Sequence, residues 1–83
     1  MKKEILPINE LLEIGFQEIP GDTLDDYGYY RWFAFYKHEN EIHITYEYSQ
    51  NGQFNTGSVE FNGEELKGRE LTKQDINFLI EIM

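Results

Sequence analysis

The stretch from Tyr27 to Phe61 contains two segments dominated by aromatic and β-branched residues, YYRWFAFYK and EIHITYEYS. Residues of these types are enriched in β-strands because their side chains pack well on a pleated surface. The Asn51-Gly52 dipeptide follows the second segment and is typical of a two-residue hairpin turn. The stretch therefore predicts a three-stranded antiparallel meander.

Two turns predict how these strands pair. A four-residue loop over 38–41 would pair Lys37 with Ile42, and the Asn51-Gly52 turn aligns the second hairpin. Side chains alternate between the two faces of a strand, so each alignment assigns every residue to a face. Both alignments predict the same buried face, formed by Phe33, Phe35, Ile42, Ile44, Tyr46, Val59 and Phe61.

The opposite face of the first strand carries Tyr30, Trp32 and Tyr36, and the third strand is expected to add Phe54. One interpretation is a protein interface, because Tyr and Trp dominate interface hot spots. The other is that the first helix or the loop 21–28 folds over these side chains. On the first interpretation, the predicted partner-binding residues are Tyr30, Trp32, Tyr36, Asp25, Asp26 and Glu47.

A helix is predicted near each end of the meander. Pro7 precedes INELLEI, and Gly15 follows it as a C-terminal cap. Thr72 and Asp75 have the spacing of a capping box, which predicts a helix from Lys73 to Met83. Its apolar stripe should cover the buried face of the sheet with Ile76, Leu79, Ile80 and Met83. Leu12 should lie on the apolar face of the first helix, with Ile8 and Leu11.

These elements together predict one α+β domain over residues 1–83. We expect a short N-terminal helix, an antiparallel meander of three to four strands, and a C-terminal helix packed on one face. Phe78 and Ile82 lie off the helix stripe and need the N-terminal helix, a loop or a second molecule to cover them.

The charge of the chain indicates what kind of partner it can bind. Sixteen acidic and seven basic residues give a formal charge of −9. Such a charge repels phosphate backbones and anionic membranes, so direct binding to nucleic acid or membrane is not expected. A protein partner with a basic surface is favoured instead. The alternative is that the acidity serves only solubility.

Composition also bears on location. The chain has no cysteine, which excludes disulfides and thiolate metal sites. Its fold can therefore form in a reducing compartment. Its N-terminus, MKKEILPIN, lacks the uninterrupted apolar run of a signal peptide, and no run approaches the roughly 20 apolar residues of a membrane span. Cytoplasmic localisation is therefore expected.

Two groups of residues suggest chemistry, but a simpler interpretation is favoured for each. His43 should pair with Glu60 across the sheet, as an acid–base pair, half a metal site or an exposed charge pair, and we favour the last. Asp22, Asp25 and Asp26 lack the alternate spacing of a calcium loop, so an acidic surface loop is favoured. No catalytic, cofactor-binding or metal-binding residue is predicted, and an enzyme is not expected.

Three segments carry a resemblance in layout: INELLEIGFQEIP, YYRWFAFYKHENEIHITYEYS and LKGRELTKQDINFLIEIM. The chain resembles the short acidic proteins carried by phages and other mobile elements of Bacteroidota-type bacteria, anti-CRISPR proteins among them. The resemblance implies a non-enzymatic protein acting by protein–protein contact in the host cytoplasm, as an inhibitor of a nucleic-acid-handling defence protein. A structural or assembly protein acting as a homo-oligomer, such as a homodimer, is the alternative. No residue role follows from the resemblance.

Overall fold

The computed structural model describes residues 4–24, 27–66 and 71–83. Its main element is an open, five-stranded antiparallel sheet in which each strand pairs with its neighbours in sequence. The elements in chain order are α1 (Ile8–Ile14), β1 (Gln17–Ile19), β2 (Tyr29–Lys37), β3 (Asn40–Tyr48), β4 (Phe54–Phe61), β5 (Glu64–Glu65) and α2 (Lys73–Ile82).

The α+β class, the antiparallel meander and the two helices are confirmed. The sheet has one strand more than the three to four expected, because two short edge strands flank the central three. Strand β5 consists of two glutamates, which have low β-propensity, and it forms because Asn62-Gly63 turns the chain back along β4. Both turn residues have positive φ, 52° and 87°, as a tight hairpin turn requires.

The first hairpin is tighter than the sequence predicts. A two-residue turn at His38-Glu39, with φ of 50° and 67°, replaces the expected four-residue loop. Phe35 therefore pairs with Ile42, whereas the longer loop would pair it with Ile44. The sequence favours the longer loop because residues with a Cβ rarely adopt positive φ. The alignment shifts by two residues, which leaves every side chain on its predicted face.

Hydrogen bonds from the turn between β4 and β5 explain why β3 begins two residues earlier than the four-residue loop predicts. The Glu41 N–H donates to Asn62 Oδ1 at 2.9 Å, and the Asn62 N–H donates to the Glu41 oxygen at 3.0 Å. The Asn62 side chain also donates to Asn40 Oδ1 at 3.0 Å. With these hydrogen bonds, β3 includes Asn40 and Glu41, and only His38 and Glu39 form the turn.

The second hairpin follows the predicted pairing from Ile42–Phe61 to Glu47–Thr56 and then departs from it. A bulge makes Tyr48 pair with Phe54 instead of the predicted Asn55. The turn is a three-residue loop over 50–52, and Gly52 has a φ of 89°. Such loops combine a turn with a left-handed residue, a position that glycine occupies without strain.

The bulge moves Phe54 from the predicted outer side to the core side. Its ring lies edge-on to those of Tyr46 and Tyr48, with centroid separations of 5.6 and 5.9 Å. One extra residue reverses the alternation of side chains along a strand. The prediction that Phe54 lies opposite the core was therefore wrong.

The predicted core face is confirmed. Phe33, Ile42, Ile44, Tyr46 and Val59 are buried, and Phe35 and Phe61 pack partly buried against them. The residues outside the sheet that complete this cluster are Leu6, Leu11, Phe16 and Ile76.

Both helices pack on this core side of the sheet. Helix α1 ends at Gly15, whose φ is 125° and whose N–H donates to the Leu11 oxygen. Leu11 is fully buried, but Leu12, predicted to share its face, is exposed. The predicted capping box of α2 is present: the Asp75 N–H donates to Thr72 Oγ1, and the Thr72 N–H donates to Asp75 Oδ2. The stripe of α2 packs on the core through Ile76, Leu79, Ile80 and Met83.

Candidate functional site

The candidate site is the side of the sheet opposite both helices, called the outer face below. Because Leu11 of α1 and Ile76 of α2 belong to the core cluster on the other side, neither helix covers this face. Strand pairing defines its members, since directly paired residues point the same way. They are Gln17 and Ile19 on β1; Tyr30, Trp32, Ala34 and Tyr36 on β2; Glu41, His43, Thr45 and Glu47 on β3; Thr56, Ser58 and Glu60 on β4; and Glu65 on β5.

Aromatic rings fill the β2 half of the outer face. The Trp32 ring lies 5.3 Å from the His43 ring, and the Tyr36 ring meets His43 edge-on at 6.2 Å. Ala34, between Trp32 and Tyr36 on this face, is only 1% exposed. Trp32 is itself half-buried, whereas Tyr36 is 59% exposed. These rings therefore form an apolar surface, and Tyr36 at one end of it is the most exposed of them.

The other half of the outer face carries glutamates together with Thr45, Thr56 and Ser58. Glu41 lies directly opposite Tyr36, and Glu47 lies directly opposite Tyr30. Glu60 is paired with His43 from the other side of β3. On the edge strand, Glu65 is paired with Glu60. The outer face is thus aromatic towards β2 and acidic towards β4 and β5.

Within residues 4–24, 27–66 and 71–83, no lysine or arginine shares this face. Arg31 points to the core side and donates two hydrogen bonds of 2.7 Å to Glu18. This bidentate hydrogen bond lowers the pKa of Glu18. Lys37 donates to the backbone oxygen of Ile80 at 3.4 Å.

The third described cation also lies away from the outer face. Lys73, at the start of α2, contacts Glu10 of α1 at 2.9 Å. The negative charge of the outer face is therefore not compensated by any of these three basic side chains.

His43 lies at the boundary between the two halves. Its Nε2 atom is 3.6 Å from Glu41 Oε2 and has no hydrogen-bond partner among the described residues. The predicted pairing of His43 with Glu60 is confirmed as strand alignment, but the close carboxylate is that of Glu41. Across the described ranges, no three His, Asp or Glu side chains are grouped so that they could hold a metal ion.

The loop before β2 follows the edge of the sheet. The Tyr30 N–H donates to the Asp22 oxygen at 3.1 Å, and Thr23 pairs with Tyr29. A Cβ on Gly21 would overlap the backbone oxygen of Tyr30, so only glycine allows this approach. Because backbone bonds between strands lie in the plane of the sheet, the backbone of residues 22 and 23 extends the edge of the sheet next to Tyr29 and Tyr30.

Four predicted partner-binding residues, Tyr30, Trp32, Tyr36 and Glu47, lie together on the outer face. Asp25 and Asp26 lie outside the described residues. Glu41 is absent from the predicted set, because the expected four-residue loop would contain it. A two-residue turn at His38-Glu39 would have paired Glu41 with Tyr36.

A second group of exposed apolar side chains lies on the helices. Phe78 and Ile82 of α2 are 59% and 56% exposed, and Leu12 of α1 is 49% exposed. Phe78 and Ile82 were expected to need a covering element, and no described segment buries them.

Neither described helix has the length and hydrophobicity that crossing a bilayer demands. Comparisons with protein-family models, with curated proteins and with solved structures find no match to this chain.

Proposed function

We propose that this protein is a non-enzymatic binding protein whose outer face docks on a protein partner with a basic surface. One observation carries the proposal. Neither α1 nor α2 lies over the outer face, and this face combines apolar aromatic side chains with carboxylates that no described lysine or arginine neutralises.

The aromatic half of this face is suited to affinity for the partner, and the acidic half is suited to the rate of encounter with it. Tyr and Trp side chains contribute much of the affinity when a partner buries them, because they offer large contact areas at small entropic cost. Carboxylates raise the rate of encounter with a cationic surface and disfavour anionic partners. The net charge of −9 acts in the same direction.

The resemblance to acidic phage and mobile-element proteins directs the choice of partner. Proteins that bind nucleic acid carry basic surfaces for phosphate groups, and an acidic protein can occupy such a surface. We propose inhibition of a host nucleic-acid-handling defence protein, in the host cytoplasm, as the biological role. The acidic outer face supports this role because it would compete with nucleic acid for the same basic groups.

The proposal is tested by capture from the native host with three immobilised proteins: the native chain, Trp32→Ala and Phe78→Ala. Native protein and Phe78→Ala should retain the same partner. Trp32→Ala should bind it more weakly by about 2 kcal/mol or more, roughly a 30-fold rise in Kd. Phe78→Ala is the matched control, since it removes an exposed aromatic ring from the helix side.

Two results would contradict the proposal. In the first, Trp32→Ala binds the captured partner as tightly as the native chain. In the second, Trp32→Ala no longer unfolds cooperatively, which would make Trp32 a core residue. Circular dichroism and thermal unfolding of each variant distinguish loss of binding from loss of the fold.

Self-association is a second candidate function, favoured by the exposed apolar side chains of α2. Phe78 and Ile82 lie one helical turn apart and are more than half exposed. As an assembly protein, the chain would bury these side chains against a second copy. Sedimentation equilibrium would then show a dimer that Phe78→Ser dissociates and Trp32→Ala leaves intact.

A further inference from the structure

We infer that the end of the outer face next to the first hairpin anchors an arginine side chain of the partner. The anchor is formed by Tyr36 and Glu41, with His43 and Glu60 beside them. This inference rests on the proposed function, because it names the chemical group of the basic partner that the face recognises.

The geometry of this corner suits a planar cation. Tyr36 and Glu41 are directly paired across β2 and β3, which places their Cβ atoms about 5 Å apart on one face. The Tyr36 side chain is 59% exposed and that of Glu41 is 40% exposed. An incoming group can therefore reach the ring and the carboxylate together. The His43 ring packs edge-on against the Tyr36 ring, with a centroid separation of 6.2 Å.

A guanidinium group can contact both the Tyr36 ring and the Glu41 carboxylate. It is flat, so it stacks on an aromatic ring, and its parallel N–H groups can bind a carboxylate in a bidentate way. An ammonium group is compact and more strongly hydrated, and it cannot stack. The chain itself contains this form of recognition on the core side, where Arg31 binds Glu18 through Nε and Nη2 and lies 6.0 Å from the Phe33 ring.

No described lysine or arginine of the chain competes for the corner, and the basic atom beside the Glu41 carboxylate is His43 Nε2 at 3.6 Å. Lys37 follows Tyr36 in sequence, but it points to the core side and donates to the Ile80 oxygen. The Arg31 guanidinium is held by Glu18. Glu60 adds a further negative charge next to His43, so the corner favours a cationic group over a neutral polar one.

The other end of the same face offers a matched comparison. Tyr30 and Glu47 are also directly paired, six residues along β2 and β3, which corresponds to about 20 Å in extended strands. Tyr30 is half-buried there, whereas Tyr36 is exposed. Glu47→Gln thus removes the same charge from the same face without touching the proposed anchor.

The test is an NMR titration of the isotope-labelled full chain with two blocked peptides of equal charge, hexa-arginine and hexa-lysine. We expect the largest shift changes at Tyr36, Glu41 and His43, and tighter binding of hexa-arginine. Glu41→Gln and Tyr36→Leu should each weaken hexa-arginine binding about three- to fivefold, the range of an exposed cation–π or ion-pair contact. Tyr36→Phe keeps the ring and should keep the affinity.

The outcomes separate the anchor from the proposed function. Equal affinity for both peptides, or equal effects of Glu41→Gln and Glu47→Gln, would overturn the arginine anchor, whereas binding of the captured partner through Trp32 would still stand. If Trp32→Ala leaves that binding unchanged and neither peptide shifts the outer face, the proposed function itself fails.

Discussion

At the residue scale, Tyr46 shows how the core accommodates a polar group. Its side chain is fully buried, yet its hydroxyl group accepts a hydrogen bond from the Leu6 N–H at 3.1 Å and donates one to the Leu6 oxygen at 2.8 Å. Tyr46 therefore joins the N-terminal segment to the centre of the sheet. Buried polar groups are tolerated when they are paired in this way.

The first prediction removes that hydroxyl group. Tyr46→Phe should lower the free energy of unfolding by about 1–3 kcal/mol, because the buried N–H and oxygen of Leu6 lose their partner. Urea unfolding measures the change. Tyr36→Phe is the control, since its exposed hydroxyl group should contribute within about 0.5 kcal/mol. Equal stability of the two variants would contradict the structural role of Tyr46.

The second prediction concerns alkaline pH. Burial raises the pKa of Tyr46 to about 12, above its ordinary value of 10.0. The folded state then holds its proton more tightly than the unfolded state, so this contribution to stability is complete below pH 10 and is lost as the pH rises towards 12. Burial also raises the pKa of Tyr48, which acts in the same direction.

Urea unfolding at a series of pH values between 8 and 12 measures this loss. The native chain should lose stability more steeply than Tyr46→Phe, which lacks the contribution of the Tyr46 hydroxyl group. Parallel curves for the two proteins would show that the ionisation of Tyr46 is not coupled to folding.

At the element scale, the first hairpin contains a strained turn. His38 and Glu39 both have positive φ, which costs a residue with a Cβ roughly 1–2 kcal/mol relative to the right-handed region. The hydrogen bonds of Asn62 to Asn40 and Glu41 offset this cost and hold the short turn.

The third prediction concerns a substitution that relieves the backbone strain of this turn. Glu39→Gly should raise the free energy of unfolding by about 1 kcal/mol, because glycine adopts positive φ readily. Gln50→Gly is the control, because Gln50 is a turn residue that does not itself have positive φ, so glycine at this position only adds entropy to the unfolded chain. The midpoint of thermal unfolding should therefore be higher for Glu39→Gly than for the native chain, and lower for Gln50→Gly. The reverse order would contradict the short turn.

The fourth prediction tests how α2 is attached. Ile76 is fully buried, so Ile76→Ala should cost about 2–5 kcal/mol. Phe78→Ala, two residues away on the exposed side, should cost less than about 0.5 kcal/mol. Deletion of residues 76–83 should abolish cooperative unfolding, and a truncated chain that kept its thermal midpoint would refute the packing of α2 on the sheet.

At the scale of the whole molecule, the two sides of the sheet differ in what they carry. One side carries both helices and the core, and the other presents aromatic rings and carboxylates. Among the described residues, the basic side chains therefore contact groups on the helix side or its edge, and none of them neutralises a carboxylate on the uncovered side of the sheet.

The fifth prediction follows from this distribution of charge. Raising the salt concentration from roughly 0.1 to 1 M shortens the Debye length from about 10 to 3 Å. The association rate of the captured partner should fall steeply over this range, while its dissociation rate changes little. Trp32→Ala should do the opposite and mainly speed dissociation. An association rate independent of salt would exclude electrostatic steering, which stopped-flow kinetics can measure.

In β2 and β3, the sequence by itself determined which residues share a face. Alternation has a period of two residues and is a local property, so the first hairpin kept Phe33 and Phe35 on the core side although its pairing shifted by two. For the same reason, Tyr30, Trp32 and Tyr36 could be grouped from the pattern alone. The capping box of α2 is likewise local, since it depends on residues three apart.

Only the tertiary structure decided which residues meet across strands. The pairing of Tyr36 with Glu41 depends on a strained turn that Asn62, more than 20 residues away, holds by hydrogen bonds. The bulge that moved Phe54 depends on how the 50–52 loop closes. The pairing of strands depends on the balance between local backbone strain and contacts with distant residues. That balance cannot be predicted from any one segment of the chain.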